Sequence, residues 1–101
     1  MAFIRAARKD EIPVGAIREF QVDGLTLAIA NVGGKFYAIH NTCLHRGGPL
    51  GSGALEGYAA ICPWHDWEYD VRTGKLLQNQ SVGVKTYTLE VRGDDLWVDA
   101  E

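Results

Sequence analysis

Two segments decide the reading: Asn41-Thr42-Cys43-Leu44-His45-Arg46-Gly47-Gly48-Pro49-Leu50 and Cys62-Pro63-Trp64-His65-Asp66-Trp67-Glu68-Tyr69-Asp70. They contain both cysteines of the chain and two of its three histidines. Each supplies one thiol and one imidazole from a loop that also carries Gly or Pro. Thiolate with imidazole selects zinc, copper or iron over magnesium or calcium. A lone Cys reads as a small buried hydrophobe and a lone His as a satisfied polar side chain. Two such pairs read instead as four metal ligands, Cys43, His45, Cys62 and His65. A zinc-binding interaction module is one outcome. Structural Cys2His2 zinc sites, however, usually place both cysteines in one short motif and both histidines in another. Here each motif is mixed, and the single residue between Cys43 and His45 is tight for two ligands on one tetrahedral ion. A two-iron cluster relieves that crowding, because each loop then bridges two metal ions.

Outward from these loops the sequence alternates. Ala16 to Val22, Leu25 to Val32 and Lys35 to His40 read as three antiparallel strands joined by Asp23-Gly24 and Gly33-Gly34. Asp-Gly is a strong hairpin signal because both positions tolerate positive φ. Leu25, Leu27 and Ile29 share one face, and Phe36, Ala38 and His40 alternate with Tyr37 and Ile39. His40, outside both motifs, reads as a polar strand end. On the C-terminal side Lys85 to Arg92 reads as one strand, Gly93-Asp94-Asp95 as a turn, and Leu96 to Val98 as a closing strand with Trp97 in the core. Phe3 to Ala6 reads as an edge strand and Lys9 to Ile12 as one helical turn stopped by Pro13. Tyr58 to Cys62 and Trp67 to Val71 read as strands, with a turn at Thr73-Gly74. Asn41 to Gly57 reads as a loop. Irregular stretches of such length inside a small domain are usually functional. The expected fold class is all-β: an antiparallel β-sandwich forming one domain over residues 1–101, with a ligand-bearing insert of two loops at about 41–74.

Composition narrows the function. The chain has 101 residues, 47% apolar and 23% charged, which is one globular domain and not a disordered tail. Ten Lys and Arg against 13 Asp and Glu give a net charge of −3, which argues against nucleic acid or an acidic membrane as partner. No apolar run approaches membrane-spanning length, and residues 1–10 lack a secretory apolar stretch. The expected location is cytoplasmic, where two cysteines serve as ligands or thiols and not as a structural disulfide.

C-x-H, then residues 46–61, then C-x-x-H, followed by Arg72-Thr73-Gly74, resembles the pattern of Rieske [2Fe–2S] proteins. The flanking strands match that scaffold too, so the resemblance covers nearly the whole chain. It implies one [2Fe–2S] cluster, with Cys43 and Cys62 on the buried iron and His45 and His65 on the outer iron. Respiratory and photosynthetic members carry an extra cysteine in each loop and join the two by a disulfide. Gly48 and Trp64 stand at those positions here. The chain is similar instead to the small Rieske ferredoxins of bacterial multicomponent oxygenases. They are electron carriers without catalytic residues, and their partners are a ferredoxin reductase and a terminal non-haem iron oxygenase. It also resembles the Rieske small subunit of assimilatory NADH-dependent nitrite reductase, whose partner is the large subunit.

Two departures stand out. Asp66 follows the second histidine where Gly is frequent, and Lys75 to Val84 lacks the prolines of the family's covering loop. The implied chemistry follows from charge. Two ferric irons, two sulfides and two thiolates sum to zero with neutral imidazoles, so one electron takes the site to −1. Rieske potentials span about −150 to +300 mV. The high-potential branch has a Ser hydroxyl at the position of Trp67, absent here, whereas Tyr69 matches its second donor. A potential in the lower half of that range is expected, flat near neutral pH and falling at high pH as imidazole protons are lost. Asp66, Glu68 and Asp70 share one face of a strand and read mainly as solvated surface. Trp64, between two ligands, reads as a shield or part of a docking patch.

Overall fold

The computed structural model describes residues 3–44, 47–64 and 66–100. Among these the chain forms β1 (Phe3–Arg8), β2 (Ile17–Val22), β3 (Leu25–Val32), β4 (Lys35–His40), β5 (Ala54–Glu56), β6 (Ala59–Ile61), β7 (Glu68–Asp70), β8 (Lys75–Leu76), β9 (Asn79–Gly83), β10 (Thr86–Tyr87), β11 (Leu89–Arg92) and β12 (Asp95–Asp99). One-turn 3-10 segments lie at Lys9–Glu11, where a helical turn is expected, and at Leu50–Ser52. The fold is all-β and every strand pair is antiparallel.

The β2–β3–β4 meander follows from local chemistry. Asp23 and Gly24 take φ of 51° and 81°, the two left-handed residues of a tight hairpin. Pairing then runs without a slip from Val22–Leu25 to Ile17–Ala30, and from Val32–Lys35 to Leu27–His40. Because side chains alternate along β3, its two faces feed two different cores. Leu27 and Ile29 face the first, completed by Leu96 and Val98 of β12. Ala28 and Ala30 face the second, completed by Leu50, Tyr69 and Val71. All four of these β3 residues are fully buried, and each larger side chain contributes about 1.5–3 kcal/mol. Alanines on the second face leave room for the ligand loops to pack close.

Three sheets result, in the orders β1-β12-β11, β10-β4-β3-β2 and β5-β6-β7-β8-β9. The first two form the sandwich around the first core. The third carries the residues between the two ligand loops and runs on to Gly83. The chain leaves the sandwich at the end of β4 and returns beside it, where His40 N–H donates to the Lys85 carbonyl at 2.8 Å and Thr86 pairs with Ile39.

Several sequence expectations need correction. Lys85 to Arg92 is not one strand. It breaks at Thr88, so that β10 joins β4 while β11 joins β12 in a different sheet. Alternation persists across the break and hides the change of partner. The expected loop Asn41–Gly57 contains β5, and Lys75–Val84, which matches the family's covering loop, contains β8 and β9. These strands are short, and β9 is exposed throughout, so neither shows an apolar period. Trp97 is only half-buried. Leu96 and Val98 take the inward positions of β12, and Trp97 lies on the outer face with the Arg92 guanidinium 4.8 Å from its ring centroid.

Candidate metal centre

The first ligand loop leaves β4 at Asn41 and is braced by its own backbone. Thr42 and Pro49 form an isolated bridge. Within it, Cys43 N–H donates to the Gly48 carbonyl at 2.8 Å, Gly47 N–H to the Cys43 carbonyl at 3.1 Å, and Leu50 N–H to the Asn41 carbonyl at 2.7 Å. The second loop leaves β6 at Cys62, whose N–H donates to the Trp67 carbonyl at 2.8 Å. Asp66 sits in that turn with φ of 55°. Asp66 thus takes a left-handed conformation that usually falls to Gly, and Asp is one of the few side chains that tolerate it. Asp66→Gly should raise stability by about 0.5–1 kcal/mol by removing this strain. A thermal melt showing no gain would contradict that.

The two loops bring the cysteines together. Cys43 and Cys62 are both buried, belong to the same core cluster and are not joined by a disulfide. Tyr69, fully buried on β7, places its hydroxyl 3.2 Å from Cys43 Sγ and accepts a hydrogen bond from Leu44 N–H at 3.0 Å. Either atom can donate in the contact with Cys43 when the sulfur is a thiol; against a thiolate, which has no proton, the phenol O–H is the donor. Trp64 N–H points at Cys62 Sγ from 3.4 Å. Burial is the main cause that pushes the Cys62 thiol up, and the Trp64 N–H opposes it. Burial also raises the Tyr69 phenol, with the bond to Cys43 adding to the effect. Burial alone disfavours charged sulfur, and a bound metal ion would offset that cost, with the Trp64 N–H and the Tyr69 hydroxyl facing the two sulfurs.

Gly48 closes the pocket. A Cβ there would lie 2.6 Å from Cys62 Sγ and 3.2 Å from the Trp64 ring. Leu44 and Trp64, next to the expected ligands, are about half exposed, and Leu77 and Val82 are similarly exposed on the hairpin beyond. Leu44 and Val82 flank a cavity of about 520 Å³ floored by Trp67 and Leu76. His45, Arg46 and His65 lie outside the described residues. Among the described residues no group of three or more His, Cys, Asp or Glu is placed to hold a metal, so the imidazole half of the ligand set remains a sequence expectation. Sequence reasoning missed Asn41 and Gly51, which anchor the first loop. Nothing in an Asn or a Gly within a glycine-rich loop signals that role.

The description "Rieske [2Fe-2S] domain" matches residues 2–88. The ferredoxin component of the naphthalene 1,2-dioxygenase system of Pseudomonas aeruginosa is 35% identical over 98 residues, covering 96% of this chain and 94% of that protein. Among solved structures, the ferredoxin of carbazole 1,9a-dioxygenase from Nocardioides aromaticivorans IC177 superposes with a TM-score of 0.91 at 29% identity, covering 100% of both chains. A chain from a complex of reduced oxygenase and oxidized ferredoxin in carbazole 1,9a-dioxygenase superposes at 0.87 with 29% identity, covering 98% of this chain and 94% of that one.

Proposed function

The chain belongs to the Rieske [2Fe–2S] domain family, and from that premise we propose that it carries single electrons from a ferredoxin reductase to a terminal non-haem iron oxygenase. Its relatives of near-equal length are ferredoxin components and not the catalysts of their systems. The observation that carries the reading is the buried pair of cysteines facing the Tyr69 hydroxyl and the Trp64 N–H. In this reading Cys43 and Cys62 hold one iron of a single [2Fe–2S] cluster and His45 and His65 hold the other. In this reading the domain is one unit over 1–101, and both ligand loops belong to the excursion between β4 and β10. When bound, the cluster supplies a one-electron couple near the surface.

The chain's own residues do the rest. Tyr69 and Trp64 direct donors to sulfur, which favours the more negative, reduced state. The apolar packing of Leu50, Ala60 and Tyr69 keeps water from the cysteine side. Leu44 and Trp64 offer an apolar rim at the tip, where a partner oxygenase approaches. Thiol ligands suit a reducing cytoplasm. No helix among the described residues is long and apolar enough to cross a membrane. No specific observation favours the nitrite reductase subunit or the zinc module over this reading.

The test is direct. Protein expressed with ample iron and purified anaerobically should be coloured, contain iron and acid-labile sulfide, and give a rhombic EPR signal after dithionite. It should also support oxygenase turnover with a ferredoxin reductase. A colourless, EPR-silent protein containing zinc would overturn the proposal.

A further inference from the structure

We propose that Asn41 is the positioning residue of the first ligand loop, fastening it to β2 of the sandwich through Glu19. The role rests on the reading of Cys43 as a cluster ligand but concerns residues that bind no metal. Asn41 is 5% exposed and lies two residues before Cys43. Its amide bridges two elements. Oδ1 accepts from the Gly51 N–H at 2.7 Å, and Nδ2 donates to Glu19 Oε2 at 3.0 Å. Its backbone is also held, since Asn41 N–H donates to the Thr26 carbonyl and the Asn41 carbonyl accepts from Leu50 N–H. One residue thus joins β2, β3 and both ends of the loop that carries Cys43.

A second, independent observation points the same way. Gly51 lies so close to β2 that a Cβ on it would stand 2.7 Å from both Glu19 Cα and Glu19 Cβ, and 2.8 Å from Asn41 Oδ1. The loop is seated on the Glu19 backbone, and only a residue without a side chain fits. An electron carrier works best when its ligands barely move between oxidation states, because the reorganisation of the site is then small. Cys43 gains that rigidity from the sandwich, and the Asn41–Glu19 bond is the point of attachment. The buried amide is hydrogen-bonded at both ends, so removing it strands the Gly51 N–H as well.

The experiment uses the whole chain with its cluster and compares Asn41→Ala, Asn41→Asp and the double variant Asn41→Asp/Glu19→Gln. The single Asp substitution sets two carboxylates against each other. The double variant restores a donor and an acceptor with their positions exchanged. Val98→Ala, in the other core, is the control for general loss of stability. Three quantities are read: iron release to a ferrous chelator after reduction, the spread of EPR g-values, and hydrogen exchange at the Gly51 and Leu50 amides.

Both Asn41 single variants should release iron about tenfold faster than wild type, and the double variant should recover to within about twofold. The g-spread and amide protection should follow the same pattern, while Val98→Ala lowers the melting temperature without changing them. The proposal is overturned if Asn41→Ala behaves like Val98→Ala at an equal margin below melting, or if the exchanged pair fails to recover. Should Asn41→Ala not accumulate as folded protein, Glu19→Ala, which removes one bond from an exposed residue, takes its place under the same criteria. Amide exchange is read with or without colour. A colourless wild type would sink the metal assignment alone, and the response of the Gly51 amide would still decide whether the tether exists.

Discussion

Gly48→Ala is expected to empty the metal centre, with iron per chain falling about tenfold while the strand signature in circular dichroism persists. The cause is steric. An added Cβ would meet Cys62 Sγ at 2.6 Å, well inside van der Waals contact. Neither partner is free to retreat. Gly48 is held by the Cys43 N–H on its carbonyl, and Cys62 by its own N–H to Trp67 and by the Trp64 N–H on its sulfur. The strain therefore falls on the spacing between Cys43 and Cys62, which a cluster tolerates least. Removing the Trp64 side chain as well should not rescue binding, since the ring lies at 3.2 Å and is not the closest obstacle. Wild-type iron content and an unaltered EPR spectrum in Gly48→Ala would contradict the argument.

The same pocket shows what the sequence reveals and what it hides. The β2–β4 meander was legible because alternation and Asp23-Gly24 act locally, and β3 and β4 begin and end where the pattern does. The candidate ligands stand out because Cys and His at fixed spacing carry chemistry that few other roles explain, and the two described ones, Cys43 and Cys62, lie buried in one cluster. By sequence Tyr69 reads equally well as a strand aromatic in the core and as a sulfur donor. It is both: a fully buried ring in the second core whose hydroxyl reaches Cys43.

What escaped notice depends on tertiary partners. Nothing between Lys85 and Arg92 indicates that the chain changes sheets at Thr88, since either partner preserves a period of two. Trp97 is expected inside from its place on the closing strand, yet β12 has two faces, and its smaller Leu96 and Val98 fill the core against β1 and β3 while Trp97 stacks with Arg92. The hairpin of β8 and β9 is polar and exposed, so only its backbone pairing reveals it. Gly51 and Asn41 look like ordinary loop residues until β2 lies beneath them.

Tyr69→Phe should lower the reduction potential by roughly 40 mV, the equivalent of one hydrogen bond of about 1 kcal/mol in a one-electron couple. The sign follows from charge. Reduction adds an electron to a site whose sulfur accepts the Tyr69 hydrogen bond, so the donor stabilises the reduced state more than the oxidised one. Removing it makes reduction harder. Phe keeps the ring that fills the core, so the iron content should be unchanged; the Leu44 N–H loses its acceptor as a side effect. The dependence on pH separates this role from that of the histidines. Burial, and then the contact with Cys43, push the phenol above its ordinary range. Its proton therefore stays in place through neutral and mildly alkaline pH. The gap between wild type and variant should be constant there, and the fall in potential at high pH, which belongs to the imidazoles, should appear equally in both. The wild-type potential itself should lie in the lower half of about −150 to +300 mV, because Trp67 offers no hydroxyl where the high-potential branch has its Ser donor. Redox titration of the two proteins across pH decides the matter: a Phe variant at or above the wild-type potential, or a gap that closes as pH rises, would remove Tyr69 from the tuning of the centre.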